Sequence, residues 1–417
     1  MADRVVQDIG ALKVYPEAPV RGRRLEFVLG NSANERFGAL GNWTRLGFDR
    51  HDPVDEPDLW ITTVVNNRAD RVPRSRVFAS IIVKDISADR HVLIGSNLEG
   101  FQGFIAEAWA ELAPSLTLSP PDRPDAVALH ELEALARRFR VVHRENQLAA
   151  ILQALQASGR PDEDGVTAHA ELCRRQLAEY RALEAEVIER GATPGLDERL
   201  REQLWAWFRQ KIVVVENYYA TGEEIVRLLA ERTPPGFRNR IMGMQNIKGT
   251  GLDFVYRWHA WETVHRACTD ATIGDDPARQ QRGLQVLAAF REYGVLSQET
   301  VRAALERIRR DGAAGGEIAE SQLDLIATQL EEQLAKLEAG AQAGAGAGGS
   351  KWIDRLEALL DAGDAVRRRK KADRIYRELA AERISSDRAV VELKALTSRQ
   401  KGGWLRKDIQ ARSLPKR

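Results

Sequence analysis

Leu59-Trp-Ile-Thr-Thr-Val-Val65 is a run of apolar, β-branched and aromatic residues that ends on Asn66-Asn67. Side chains of this kind suit a pleated surface, and an amide pair following them reads as a turn. Three further runs share the signature: Arg24-Leu-Glu-Phe-Val-Leu29 before it, and Val77-Phe-Ala-Ser-Ile-Ile-Val83 and His91-Val-Leu-Ile-Gly95 after it, the last two separated by Ser87-Ala-Asp89. The expectation is four strands in one small sheet. Phe101, Phe104, Ile105, Ala108, Trp109 and Leu112 then recur at three- and four-residue intervals, which predicts an amphipathic helix over 98–113. Residues 1–113 accordingly read as a small α+β domain.

Prolines 114, 120, 121 and 124 follow. Each fixes φ and removes a donor, so the segment reads as a domain boundary. Beyond it helical spacing dominates, as in Leu148, Ile151, Leu152 and Leu155, with breaks at Gly159-Arg-Pro161, Gly191-Ala-Thr-Pro194-Gly195 and Thr233-Pro-Pro-Gly236. Trp205-Ala-Trp-Phe208 and Tyr218-Tyr219, beside Ile212, Val213 and Val215, look like the core of a helical domain over 125–338. Leu323, Ile326, Leu330, Leu334 and Leu337 form a stripe that permits self-association through 318–338. Residues 339–350 contain almost only alanine and glycine and read as a flexible linker to a small helical module over 351–417. The fold class expected is mainly α, with an N-terminal α+β domain, a multi-helix central domain and a small helical C-terminal module.

Charge divides along the same line. The chain's net charge of +1 conceals 19 Lys and Arg against 10 Asp and Glu in residues 351–417, net +9, which leaves 43 against 51 in residues 1–350, net −8. An acidic body carries a basic tail. Its 43% hydrophobic and 29% charged residues are the balance of a folded globular chain. No apolar run approaches the ~20 residues of a membrane span, and Met1-Ala-Asp-Arg-Val-Val-Gln-Asp lacks a secretory pattern, so a cytoplasmic location is expected. Cys173 and Cys268 are far apart in helical segments and read as buried thiols.

The densest group of unusual residues runs from Phe237 to Asp270. Lys248-Gly249-Thr250-Gly251 precedes a helix, and Arg240 stands eight residues upstream of Lys248. Glycines let backbone approach a ligand, the helix start offers N–H groups, and Lys248 and Arg240 add charge, so these residues are candidate anion binders. The competing reading is an ordinary cap in which Thr250 and Asp253 have capping spacing. No strong strand precedes the turn, and the order of a P-loop is missing. In the helix that follows, Phe254, Trp258, Trp261, His265 and Cys268 share a face. Glu262 and His265 form half of a bundle-type metal motif. The second half is missing, so no metal site is assigned. His259, His265 and Glu262 are the candidates for acid–base chemistry, and no cofactor is specified.

The tail carries Arg367, Arg368, Arg369, Lys370, Lys371 and Arg374, with Trp404 further on. This charge suits an acidic protein surface first, nucleic acid second, and membrane least. Three functions follow: an adaptor or regulatory protein that engages an acidic partner through its body and tethered tail, an enzyme acting on a phosphate-bearing anionic substrate at residues 240–265, or a nucleic-acid-binding protein.

Overall fold

The computed structural model describes residues 12–31, 33, 35–120, 127–159, 164–217, 220–273, 276–311, 317–346 and 374. The chain divides into two units. One comprises Met1–Asn67 and Pro73–Glu338, the other Arg68–Val72 and Ala339–Arg417.

The first unit is built on one sheet. Strands β1 (Lys13–Val14), β2 (Ala18–Val20), β3 (Arg23–Leu29), β4 (Leu59–Asn67), β5 (Arg90–Gly95), β6 (Ile212–Val214) and β7 (Arg238–Gln245) lie in the order β1-β3-β7-β4-β5-β6, with β2 also on β3. The pairs β3–β7, β7–β4, β4–β5 and β5–β6 are parallel, and β1 and β2 run antiparallel to β3. Parallel neighbours need crossovers, which bury both faces of the sheet. On one face Val28, Ile61, Val65, Leu93, Met242 and Met244 meet the helices α1 (Arg36–Arg45), α2 (Val72–Lys84), α3 (Leu98–Leu112), α4 (Ala128–Arg138), α6 (Asp164–Arg190) and α7 (Pro194–Arg209). On the other, Leu25, Phe27, Leu29, Val64, Val92, Ile94 and Ile241 meet α8 (Gly222–Glu231) and α9 (Thr250–Ala271). The result is a three-layer α/β arrangement in a chain that is mostly helical, as expected.

Three expectations change. Residues 77–83 lie inside α2, where Phe78, Ala79, Ile81, Ile82 and Val83 are buried. A continuous apolar run suits a buried crossover helix as well as a strand, and the β4–β5 parallel pair requires the helix. Two strands, β6 and β7, come from the stretch read as purely helical and pair with strands of the first hundred residues. Residues 1–113 and 125–338 therefore share one sheet, and the proline-rich stretch is no fold boundary. The missed strand β7, Arg-Asn-Arg-Ile-Met-Gly-Met-Gln, has few β-branched residues. Its Gly243 is explained by packing, since a Cβ there would lie 2.2 Å from Asn31 Oδ1 and 3.0 Å from the Phe27 ring.

The far half of α9, with α10 (Pro277–Ala289), α11 (Val295–Asp311) and α12 (Glu317–Gly346), forms a separate apolar cluster. Leu323, Ile326, Leu330 and Leu334 are buried in it. The stripe offered for self-association thus packs on the chain's own helices. In the second unit, Arg68 makes a two-pronged ion pair with Asp70 at 2.8 and 3.1 Å. Residues 339–346, read as linker, continue the helix of α12, in keeping with the high helix propensity of alanine. Arg374 is helical and exposed. Residues 347–350, the tail candidates Arg367, Arg368, Arg369, Lys370, Lys371 and Trp404, and Tyr218-Tyr219 lie outside the described residues. Among the described residues no helix is long and apolar enough to cross a membrane.

Candidate functional site at the carboxyl edge of the sheet

After β3 and β4 the chain turns into α1 and α2 on one face, whereas after β7, which lies between them, it turns into α9 on the other. The flanking segments part at the carboxyl ends of β3, β7 and β4. Open α/β sheets bind ligands in such a crevice.

The strand ends there carry amides. Asn31 follows β3, Asn66 and Asn67 end β4, Gln245 ends β7 and Asn246 follows it, and all five are buried. Asn66-Asn67, read as a turn, are ladder residues opposite Ile94 and Gly95 of β5. Their hydrogen bonds form one network. Asn31 Nδ2 donates to the carbonyls of Met244 at 3.0 Å and Asn246 at 2.9 Å. Asn66 Nδ2 donates to those of Asn246 at 2.9 Å and Lys248 at 2.8 Å, and Asn246 Nδ2 donates back to Asn66 O at 3.1 Å. Asn67 Nδ2 donates to Ser96 O at 2.8 Å, while Asn67 Oδ1 accepts from Ser75 Oγ at 2.6 Å and Gln245 Nε2 at 3.1 Å. Arg74, half-buried in the first turn of α2, donates to Asn246 Oδ1 at 2.7 Å. Two acceptors in the network, Asn31 Oδ1 and Gln245 Oε1, are buried without a donor among the described residues. Gln245 is also held at φ 77°, and Asn97, after β5, at φ 55°. Unpaired buried polar atoms and left-handed non-glycine backbone each cost of order 1–3 kcal/mol and collect where function requires them.

The Lys248-Gly249-Thr250-Gly251 turn belongs to this edge. Lys248 is exposed. Gly249 has φ 66°, and a Cβ on Gly251 would lie 2.2 Å from Asn66 Nδ2, so only glycine lets the turn close on β4. A strand, β7, does precede the turn, contrary to expectation. The capping expectation also changes: the residue before α9 is Gly249, without a side-chain cap, and Asp253 Oδ2 instead accepts from Gly222 N at the start of α8. That engagement ties the Asp253 carboxylate to α8, whose positive end favours it.

The remaining candidates lie elsewhere. Arg240, early in β7, pairs with Glu26 at 2.7 Å and donates to His51 and Leu46 O. His259 is nine residues into α9, ~14 Å along the helix from its start at 1.5 Å per residue, and its Nε2 lies 3.1 Å from Tyr15 Oη. Glu262 pairs with Lys13 at 2.6 Å, and His265 meets Trp261 edge-on. Burial lowers the pKa of His259 and His265. Among the described residues no group of three or more His, Cys, Asp or Glu could hold a metal ion. The structure thus brings Lys248, Gly249, Thr250 and Gly251 together with Asn31, Asn66, Asn67, Arg74, Gln245 and Asn246, which the sequence reading missed. The available signal was a pair of amides closing a buried run, repeated at Gln245-Asn246.

Residues 14–168 match the family model described as the Poly-gamma-glutamate synthase CapB C-terminal domain. No curated protein and no solved structure matches the chain. The similar segment supplies Asn31, Asn66, Asn67 and Arg74, while β6, β7 and the Lys248 turn lie beyond it.

Proposed function

We propose that this chain binds an acidic amino acid or γ-glutamyl chain at the carboxyl edge of its sheet, as the substrate-holding part of an amide-forming ligase. The buried amide network carries this reading. Asn31 Oδ1 and Gln245 Oε1 are acceptors without donors among the described residues, which suit an ammonium group. Arg74 and Lys248 supply cations for carboxylates, and charge-assisted hydrogen bonds to a carboxylate are roughly twice as strong as neutral ones. One site then presents the complement of a zwitterion with an extra carboxylate. The similarity of residues 14–168 to a poly-γ-glutamate synthase domain supports the same substrate class. The chain's role is to hold the amine and keep the carboxylates paired while an acyl group activated elsewhere is attacked.

Calorimetric titration of the full chain with glutamate and with γ-linked triglutamate tests this. Arg74→Ala and Lys248→Ala should each weaken binding at least ~10-fold, the equivalent of about 1.4 kcal/mol, which is modest for loss of a charged hydrogen bond. Inorganic phosphate binding better than either glutamyl ligand would favour the phosphate-bearing substrate instead. A second reading, an adaptor that engages an acidic partner through its tail, is favoured by the net +9 of residues 351–417. Converting Arg367–Lys371 to glutamate separates the two: triglutamate binding should persist, and an adaptor should lose its acidic partners.

A further inference from the structure

The opposite, amino-terminal edge of the sheet contains a recess of about 50 Å³ between the start of β4 and β5 and the helices α5 (Glu145–Ala157), α6 and α7. A single water needs roughly 10–15 Å³ of such space, so a group of a few heavy atoms fits. Its polar lining is unusually cationic. Arg90, Arg140 and Lys211 face it, and Asp89 is the one carboxylate among the lining residues. Asp89 is already committed: its Oδ2 accepts from Arg140 Nε at 2.7 Å and from Ile61 N at 2.8 Å, and both charged partners are buried. Lys211 Nζ donates to the carbonyls of Ala88, at 3.0 Å, and Phe139. Arg90 Nη1 donates to Gln210 O at 2.5 Å, and no carboxylate among the lining residues hydrogen-bonds its guanidinium.

Two donors in the lining are unspent. Trp60 Nε1–H, on a side chain of a residue only 8% exposed, and Arg90 Nε–H find no acceptor among the described residues. They are neighbours, because the Arg90 guanidinium lies 5.7 Å from the centre of the Trp60 ring. Among the lining residues no other anion competes for them. Burial pushes the Cys173 thiol up to about 12 and the His169 imidazole down to about 4, so both are neutral near pH 7. Trp207, also in the lining, gives its Nε1–H to Glu179 at 2.6 Å and is satisfied without the recess.

We propose that this recess is a binding site for a small monocarboxylate of the size of formate or acetate, gripped by Trp60 Nε1–H and Arg90 Nε–H. A carboxylate has two acceptor oxygens and one negative charge, which match two unpaired donors on neighbouring side chains and a guanidinium that no carboxylate hydrogen-bonds. The site joins the first residues of β4 and β5 to α6 and α7, so its occupation stabilises the helical layer on the sheet. It is independent of the carboxyl-edge site.

The test is thermal unfolding of the full chain in 100 mM sodium formate or acetate against sodium chloride and sodium sulfate at matched ionic strength. Formate should raise Tm by about 3 °C over chloride, since a ligand of the folded state raises stability by mass action. Trp60→Phe keeps an aromatic ring at this position and removes the donor, and the formate-specific shift should vanish in it. Titration of 13C-formate followed by line broadening reads binding directly in the unaltered protein and decides the matter if Trp60→Phe fails to fold. Equal Tm in formate and chloride without broadening, or an undiminished formate response in folded Trp60→Phe, overturns the site.

Discussion

Asp89→Ala should destabilise the protein by about 3–5 kcal/mol, the range found when one partner of a buried ion pair is removed. The magnitude follows from position. Asp89 and Arg140 have side chains 9% and 3% exposed, and Asp89 Oδ2 also accepts the backbone N–H of Ile61 at the start of the central strand β4. Arg140, at φ 44°, ties three segments together, giving its other N–H groups to Leu59 O at 2.9 Å and His51 O at 3.3 Å. Removing the carboxylate leaves Arg140 buried without its counter-charge, with Lys211 nearby held only by carbonyls. An exposed pair such as Arg76–Glu107, 60% and 53% exposed, should cost under ~1 kcal/mol when broken. Urea unfolding of Asp89→Ala beside Glu107→Ala checks the contrast. Equal losses would show that the pair does not organise the amino edge.

Acid should unfold the chain well before its carboxylates are fully protonated. Burial, aided by Lys211, pushes His91 down to about 3, and burial, aided by Arg90, pushes His169 down to about 4, from an ordinary 6.5. His91, on β5, packs against Phe208 and is held neutral, with its Nδ1 2.8 Å from Thr63 Oγ1. Below pH 6.5 the unfolded chain takes up protons that the folded chain refuses, so stability falls as pH falls. At 1.36 kcal/mol per unit, each histidine costs about 3 kcal/mol by pH 4. Stability is therefore lost between pH 6.5 and 4, and it levels off for each histidine once pH passes its folded value. Lys211 acts on the alkaline side. Burial lowers it from 10.5 to about 7, so stability continues to rise as pH climbs through that interval. Unfolding midpoints in urea from pH 4 to 9 should rise throughout, and His91→Gln should flatten the acid limb. A midpoint unchanged between pH 6.5 and 4 would contradict neutral burial of these rings.

The strands legible in the sequence were those whose composition matches their environment. β4, buried on both faces, is rich in apolar and β-branched residues, and β3 and β5 carry shorter apolar runs, Phe27-Val-Leu29 and Val92-Leu-Ile94. The same composition misled at residues 77–83, because a crossover helix buried against the sheet wants the same Phe, Ile and Val. β7 was hidden for the opposite reason. Its Arg240 answers to Glu26, 214 residues away in sequence, and its Gly243 to Asn31. With β7 unseen, the Lys248 turn had no strand to follow, and Asp253 could only be read as a local cap. Its partner, Gly222, lies on another element. The amides at the strand ends were in plain view, but their convergence depends on the order β3-β7-β4-β5, which no local pattern encodes.

The claim that the carboxyl edge holds an acidic amino acid is tested most directly by side-chain amide NMR of the 15N-labelled full chain during a glutamate titration. The Asn31, Asn66, Asn67, Gln245 and Asn246 NH2 resonances, assigned by single Asn→Asp or Gln→Glu changes, should shift together and saturate with one affinity, while those of remote Gln147 and Gln176 stay fixed. Amide resonances at the strand ends that stay unmoved at saturating glutamate and γ-linked triglutamate would contradict the account.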